Sequence, residues 1–165
     1  MAYELVETIE LTADAAYIEF SSIPQDGKDL VLRMAVRNSG SSGLGYDNLR
    51  IDKNGTTQYV TTGPSMYGDS TYGIGSGNGS YIWSNKESGD LYAWSNHEVY
   101  ISNYATTGHQ HVGVVGGANN WYTDNIVGFM TTHYSSGSAI TSLRIRDLSS
   151  DNIVTGSVVS LYKIY

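Results

Sequence analysis

Hydrophobic and polar residues alternate with a period of two in many short segments of this chain. Residues 30–37 are the clearest case, because one side of the segment carries four apolar residues: Leu30, Leu32, Met34 and Val36. Such alternation is typical of a strand with one buried face. Similar segments recur at short intervals, and no stretch offers ten residues of helical spacing. The pattern predicts an all-β fold of eight to ten strands, either a sandwich or a barrel.

Both ends of the sequence also have the pattern of strands. Residues 158–165 continue the alternation to the last position. Residues 3–11 place four apolar side chains on one side, namely Tyr3, Leu5, Ile9 and Leu11. We therefore expect one domain over residues 1–165, with no secretion signal, membrane anchor or fibre shaft.

The middle of the chain contains a predicted tight turn and a long segment without alternation. Asn54-Gly55 predicts a tight hairpin between strands over residues 48–53 and 56–61, because both turn positions need positive φ. From Gly63 to about Asn96 the sequence is rich in Gly, Ser and Tyr and has no regular period. This segment is expected to form loops, with a short strand near residues 81–83.

Charge and composition narrow the classes of partner. The net charge is −7, and the nine Lys and Arg residues are scattered, so no clustered basic face for nucleic acid is expected. There is no cysteine, which excludes disulfides and thiolate metal sites. No apolar run approaches the roughly 20 residues that span a bilayer, so no membrane partner is expected either. Only 15% of residues are charged, which favours a surface partly covered by other protein.

No catalytic motif is evident, and the sequence predicts that the protein is not an enzyme and needs no cofactor. The chain lacks a G-x-S-x-G elbow, and Gly73–Gly77 is not followed by the Lys-Ser/Thr of a phosphate loop. A carboxylate pair for glycoside hydrolysis is conceivable among the loop residues, but solvated carboxylates are the simpler interpretation. These residues are Asp69, Glu87, Asp90 and Asp124.

Two histidines in the second half of the chain are candidate metal ligands. His109 and His111 lie on the same side of an extended segment, where their imidazoles could share a metal ion. The sequence indicates no third or fourth ligand, since His97 and His133 are distant along the chain. No metal site is therefore predicted, and the two histidines are only weak candidates.

Aromatic residues embedded in Gly, Ser and Asn are the strongest indication of a binding surface. Tyr and Trp give large contact area at low entropic cost, and small polar residues add adaptable hydrogen bonds. The same rings could stack on sugars, or several could simply fill the ends of the core. The candidate interface residues are Tyr67, Tyr72, Tyr81, Trp83, Tyr92, Trp94, Trp121 and Tyr122.

The two ends of the chain also resemble a known class of protein. The segments YELVETIEL at 3–11, AYIEFSSIPQ at 16–25 and DLVL at 29–32 resemble the start of small virion structural proteins from tailed bacteriophages. Residues 140–145 and 156–164 resemble the end of the same class, with Lys163 where the family typically has Gly. The resemblance covers the first and last quarters, and none of its motifs is catalytic.

This resemblance implies a single-domain antiparallel β-sandwich, jelly-roll-like, that belongs to the virion and is assembled in the host cytoplasm. The first hypothesis is a capsid decoration (cement) protein that binds the major capsid protein and stabilises the head lattice, with itself as partner in a homotrimer. The alternative is a tail fibre or receptor-binding tip that recognises host glycans through the aromatic loops. The absence of a predicted shaft or attachment domain favours the decoration protein.

Overall fold

Twelve β-strands make up the regular structure of the residues that the computed structural model describes: 2–40, 46–56, 61–67, 70–77, 82–86, 93–120, 124–134 and 137–165. These described residues contain no helix, and so none that could cross a membrane. The all-β prediction is confirmed. The strands are β1 (Tyr3–Glu10), β2 (Tyr17–Phe20), β3 (Asp29–Asn38), β4 (Tyr46–Lys53), β5 (Thr61–Tyr67), β6 (Ser70–Gly77), β7 (Ile82–Lys86), β8 (Ser95–Ile101), β9 (Gln110–Asn120), β10 (Asp124–Tyr134), β11 (Leu143–Asp147) and β12 (Val158–Ile164).

The strands form two sheets that share strand β3. The larger sheet has the order β1-β12-β3-β8-β9-β10-β5-β6, and the smaller sheet has the order β2-β11-β4-β7. Both are antiparallel within themselves. The end of β3 also pairs with β7 in parallel, with Arg37 opposite Asn85 and Asn38 opposite Lys86. The fold is thus a β-sandwich whose two sheets are joined at one corner by a short parallel pair.

A single hydrophobic core fills the space between the sheets. The four apolar residues predicted on one side of residues 30–37 are all buried in it. They are joined by alternating residues of the smaller sheet, such as Leu49 and Ile51 of β4 and Leu143 and Ile145 of β11. Burial of one face of each sheet is what the period of two predicts.

Strand β1 departs from the expected pattern because it contains a bulge. Leu5 pairs with Tyr162 and Glu7 with Leu161, so Val6 is the extra residue. One inserted residue reverses which side chains face inward. Tyr3 and Leu5 are therefore each 53% exposed, whereas Val6, Ile9 and Leu11 pack against the core. The prediction that Tyr3 and Leu5 share a face with Ile9 and Leu11 is wrong.

The turn at Asn54-Gly55 is confirmed, but the hairpin around it is not. Asn54 and Gly55 have φ angles of 49° and 72°, and Lys53 and Thr56 exchange backbone hydrogen bonds of 2.8 and 3.1 Å. However, β4 belongs to the smaller sheet and β5 to the larger one, and residues 57–60 lie outside the described ranges. The Asn54 side chain instead accepts hydrogen bonds from the backbone N–H groups of Thr141 (2.8 Å) and Ser142 (3.1 Å). These bonds fix the turn against the segment that leads into β11.

The Gly/Ser/Tyr-rich segment expected to form loops contains two further strands. β5 pairs with β10 on one side and with β6 on the other. Strand β7 likewise extends beyond the short strand expected near residues 81–83. Small residues have low intrinsic preference for strands, but backbone pairing with a neighbouring strand overrides that preference. The expectation of a continuous loop in this region is therefore wrong.

Two glycines on neighbouring strands allow large rings to lie close to the sheet. Gly116 of β9 and Gly128 of β10 are cross-strand partners. A Cβ atom added to Gly128 would lie 2.0 Å from Cζ3 of Trp83, and one added to Gly116 would lie 2.0 Å from Nδ1 of His97. Both distances are far below van der Waals contact. The two glycines are therefore required by the rings of Trp83 and His97 that cover them.

We predict that Gly128→Ala destabilises the fold, because its methyl group would overlap the Trp83 ring. Overpacking of this kind costs roughly 1–3 kcal/mol or more. Gly113→Ala on the adjacent strand is the matched control, because nothing lies within 4 Å of a Cβ added there. Chemical denaturation of both variants measures the difference. Equal free energies of unfolding for the two variants would contradict the proposed close packing.

Candidate functional site

On β8, β9 and β10, the outer face of the larger sheet carries four exposed, large hydrophobic residues among those that the structure describes. We call them the outer patch: Tyr100 (38% exposed), Val115 (41%), Val127 (42%) and Phe129 (57%). Val115 and Phe129 are direct cross-strand partners, and Val127 lies two residues before Phe129 on the same face of β10. Val115 also pairs with Glu98 of β8, the strand on the other side of β9. Glu98 lies two residues before Tyr100 on the same face of β8. The outer patch thus spans three adjacent strands.

Strand β10 has its apolar residues arranged in an unusual way. Val127 and Phe129 project outward to solvent, whereas Gly128 between them projects inward beneath Trp83. Gly113 lies opposite Tyr100 on the outer face and has open space above it. The exposed rings and methyl groups of the outer patch thus lie next to open space at Gly113. Exposed apolar side chains grouped on one sheet face suit contact with another protein.

Tyr100 is held in place by a buried carboxylate. Its hydroxyl donates a short hydrogen bond to Asp29, which also accepts one of 2.8 Å from the backbone N–H of Asn103. The hydrogen bond to Asp29 raises the pKa of Tyr100 to about 12. The hydroxyl is thus satisfied within the protein, and the fixed ring is available for contact at low entropic cost.

A charged and aromatic border adjoins the outer patch. Arg33 forms a 3.0 Å ion pair with Glu98, and its guanidinium lies 5.5 Å from the Tyr162 ring centroid and 5.9 Å from that of Tyr3. Next to it is an open depression of about 480 Å³. Its lining residues are Arg33, Met34, Ala35, Asn96, His97, Glu98, Val158 and Ser160.

The edge of the larger sheet at β1 is poorly suited to pairing with another strand. The bulge at Val6 interrupts the regular backbone spacing, and three exposed glutamates follow the edge: Glu4, Glu7 and Glu10. Bulges and charges are the usual means by which proteins prevent edge-to-edge association. Contact through the face of the sheet is therefore favoured over strand addition at this edge.

The structure describes the side chains of two of the eight aromatic residues predicted as interface loops, Trp83 and Trp94. Trp83 lies on β7 and is only 8% exposed. Trp94 is half-buried, with the Arg37 guanidinium 5.0 Å from its ring centroid. Tyr67 ends β5 and Tyr72 lies within β6, so both belong to strands. The remaining four lie outside the described residues: Tyr81, Tyr92, Trp121 and Tyr122.

The sequence pattern did not predict the outer patch, because residues 126–130 form one continuous apolar run. Such a run does not reveal which residues face the core. The glycine in its middle was the available signal, since a glycine inside a strand indicates close approach of another group. Here that group is the ring of Trp83, and it places Val127 and Phe129 on the opposite face.

The described carboxylates that are buried all have structural partners. Asp52 pairs with Arg50 (3.1 Å) and Arg146 (2.6 Å), and Asp147 accepts a 2.8 Å hydrogen bond from Asn38. Of the loop carboxylates considered for hydrolysis, Asp124 begins β10, and Asp69, Glu87 and Asp90 lie outside the described ranges.

His97 is the one buried histidine and is part of the core. Its Nε2 atom lies 2.5 Å from the carbonyl oxygen of Trp83, and because a carbonyl only accepts, Nε2 carries the proton. The Nδ1 atom is buried without a hydrogen-bond partner. Burial lowers the pKa of His97 to about 4, so the ring is neutral near pH 7.

The three remaining histidines lie together at one end of the larger sheet. His111 and His133 are cross-strand partners on β9 and β10. The His133 ring centroid lies 6.4 Å from that of His111 and 6.1 Å from that of His109. As they stand, no three His, Asp or Glu side chains among the described residues converge to hold a metal ion. The sequence did not indicate that His133 joins the other two.

Comparison with known proteins found no matching family model, no similar curated protein and no similar solved structure.

We predict that acid destabilises the protein through His97. Its folded pKa of about 4 is below the ordinary value of 6.5, so the unfolded state binds more protons between these pH values. The stability that depends on the neutral ring is fully present above pH 6.5 and is lost as pH falls towards 4, by on the order of 3 kcal/mol.

The measurement is the free energy of unfolding against pH for the wild type and for His97→Gln. The variant is expected to be less stable at pH 7 and to lack this part of the pH dependence. Parallel curves for the two proteins between pH 6.5 and 4 would show that His97 is not the responsible group.

Proposed function

We propose that this protein is a non-catalytic virion structural protein of a tailed bacteriophage, a capsid decoration protein that binds the head lattice as an oligomer. The outer patch is the observation that carries the proposal, together with the resemblance of the chain ends. The docking surface is the outer face of β8, β9 and β10, and its partner is the major capsid protein.

The exposure of the outer patch supports a protein partner. Large side chains such as Phe129 contribute most to binding when they enter a water-free contact. Here a phenylalanine and two valines stand together on solvent-facing strands, beside a tyrosine whose hydroxyl is already bound. The nearby ion pair of Arg33 and Glu98 supplies the polar rim that surrounds the apolar centre of most interfaces.

An oligomer is the form in which a patch of this size would suit decoration of a repeating lattice. A patch of a few side chains gives modest affinity for each copy. When three copies are linked, the second and third contacts become intramolecular, so weak single contacts add up to tight binding. The charged and bulged β1 edge disfavours open-ended strand pairing between copies, so a closed oligomer such as a homotrimer is the expected assembly.

The outer patch is tested with a matched pair of substitutions. Phe129→Ser removes the most exposed patch residue, and Tyr17→Ser removes a comparably exposed ring (46%) on the smaller sheet. We expect Phe129→Ser to weaken co-sedimentation with particles built from the phage's major capsid protein at least about tenfold, as loss of an aromatic hot spot does. Tyr17→Ser should bind like the wild type.

Both variants should unfold at temperatures near that of the wild type, because both side chains are exposed. A Phe129→Ser protein that is folded and binds particles as well as Tyr17→Ser does would remove the outer patch from the proposal.

The oligomeric state is tested by sedimentation equilibrium of the intact chain. We expect a trimer, with a mass about three times that of the single chain. A stable monomer that shows no affinity for capsid particles would overturn the decoration hypothesis.

Host-glycan recognition by a tail-tip protein is the second candidate, and the depression beside Arg33 is the observation that favours it. Its lining combines polar groups such as Asn96 and Glu98 with apolar Ala35 and Val158. The guanidinium of Arg33, which also lines it, lies near the rings of Tyr3 and Tyr162. Aromatic rings beside hydrogen-bonding groups suit sugar rings. Strong glycan-array signals that are lost on Arg33→Ala would favour this function over decoration.

A further inference from the structure

The fold gathers three of the four histidines of the chain at one corner of the larger sheet. His111 and His133 face each other across β9 and β10, and His109 precedes His111 by two residues. The rings of His109 and His133 meet edge to face at 6.1 Å, and those of His111 and His133 are tilted at 6.4 Å. His133 is thus the common neighbour of the other two.

The ring nitrogens of these histidines are not used elsewhere in the described structure. None of the three makes a side-chain hydrogen bond or ion pair with another described residue. This distinguishes them from His97, whose Nε2 is bound to the Trp83 carbonyl inside the core. His109 and His111 are exposed and His133 is half-buried, so an ion in solution has access to all three.

We propose that His109, His111 and His133 form a binding site for a divalent transition-metal ion of the Zn²⁺, Ni²⁺ or Cu²⁺ type. Neutral imidazole is a preferred ligand of these ions, and three protein ligands with open positions for water make a common coordination set. A chain of net charge −7 attracts cations to its surface.

Binding requires a small closure of the three rings. With metal–nitrogen distances of about 2.0–2.1 Å, ring centroids in a tetrahedral site lie roughly 5 Å apart. The observed separations are about 1 Å longer. We expect rotation about the side-chain bonds of the exposed His109 and His111 to close this difference. The backbone pairing of His111 with His133 fixes the two anchor positions beforehand.

The histidine site is tested by calorimetric titration of the tag-free intact chain with Ni²⁺ in a buffer that does not bind metals. We expect one ion per chain with submillimolar affinity. His133→Gln and His111→Gln should each weaken binding at least about tenfold, because even an outer-sphere contact to a metal ligand is worth that much. Thr107→Gln, an exposed change two residues before His109, is the control and should leave the affinity unchanged.

His133→Gln is the decisive variant, because it leaves the His109-Gln110-His111 segment intact. Unchanged affinity in His133→Gln would show that the sequence segment alone binds the ion and would overturn the three-histidine site. Absence of any binding by the wild type at submillimolar Ni²⁺ would overturn it as well. Paramagnetic broadening of amide signals by Ni²⁺ gives an independent readout, expected at the start of β9 and the end of β10. None of these outcomes depends on whether the outer patch binds a capsid.

Discussion

The arrangement of β7, β8, β9 and β10 depends on two close contacts between rings and backbone. The Trp83 ring lies against Gly128, and the His97 ring lies against Gly116. The two glycines are cross-strand partners, and the absence of a Cβ at each creates the space that a ring fills. The two residues are also linked directly, because Nε2 of His97 donates to the backbone carbonyl oxygen of Trp83. This link places the proton of the neutral ring on Nε2, while burial keeps His97 uncharged. It also connects the smaller sheet, through β7, to the centre of the larger one. A side chain at either glycine would force the sheets apart at this point.

The same constraint determines what the outside of the larger sheet presents. Successive residues of a strand face opposite sides, so an inward glycine at position 128 places Val127 and Phe129 outward. In most sandwich strands the large apolar residues face the core and the small or polar ones face solvent. On β10 that order is reversed around Gly128, and the core volume is supplied by Trp83 instead. The exposed apolar surface is therefore a direct consequence of how the interior is packed.

Much of the fold could be predicted from the sequence, and the failures have identifiable physical causes. Alternation located β3 correctly, because the four apolar residues on one side of 30–37 enter the core. Alternation failed in β1 because one bulged residue reverses it, and it failed in β5 and β6 because backbone pairing forms those strands without a side-chain pattern. The candidate site was harder to predict. Phe129 lies in a continuous apolar run, which does not show which residues face outward. The contact of His133 with His109 and His111 depends on the register of β9 and β10, and no local sequence pattern determines that register.

The His111–His133 pair lies on the same face of β9 and β10 as Val115, Val127 and Phe129 of the outer patch. The His111–His133 pair is four residues along the strands from the Val115–Phe129 pair, or about 14 Å at the usual rise per residue. A partner that buries about 800 Å² of each surface has a footprint roughly 30 Å across. A footprint of that size centred on Phe129 extends as far as the histidines. A protein docked on the outer patch would therefore either cover the histidines or complete the coordination of an ion bound there, so the two surfaces are physically coupled even though each is formed by different side chains.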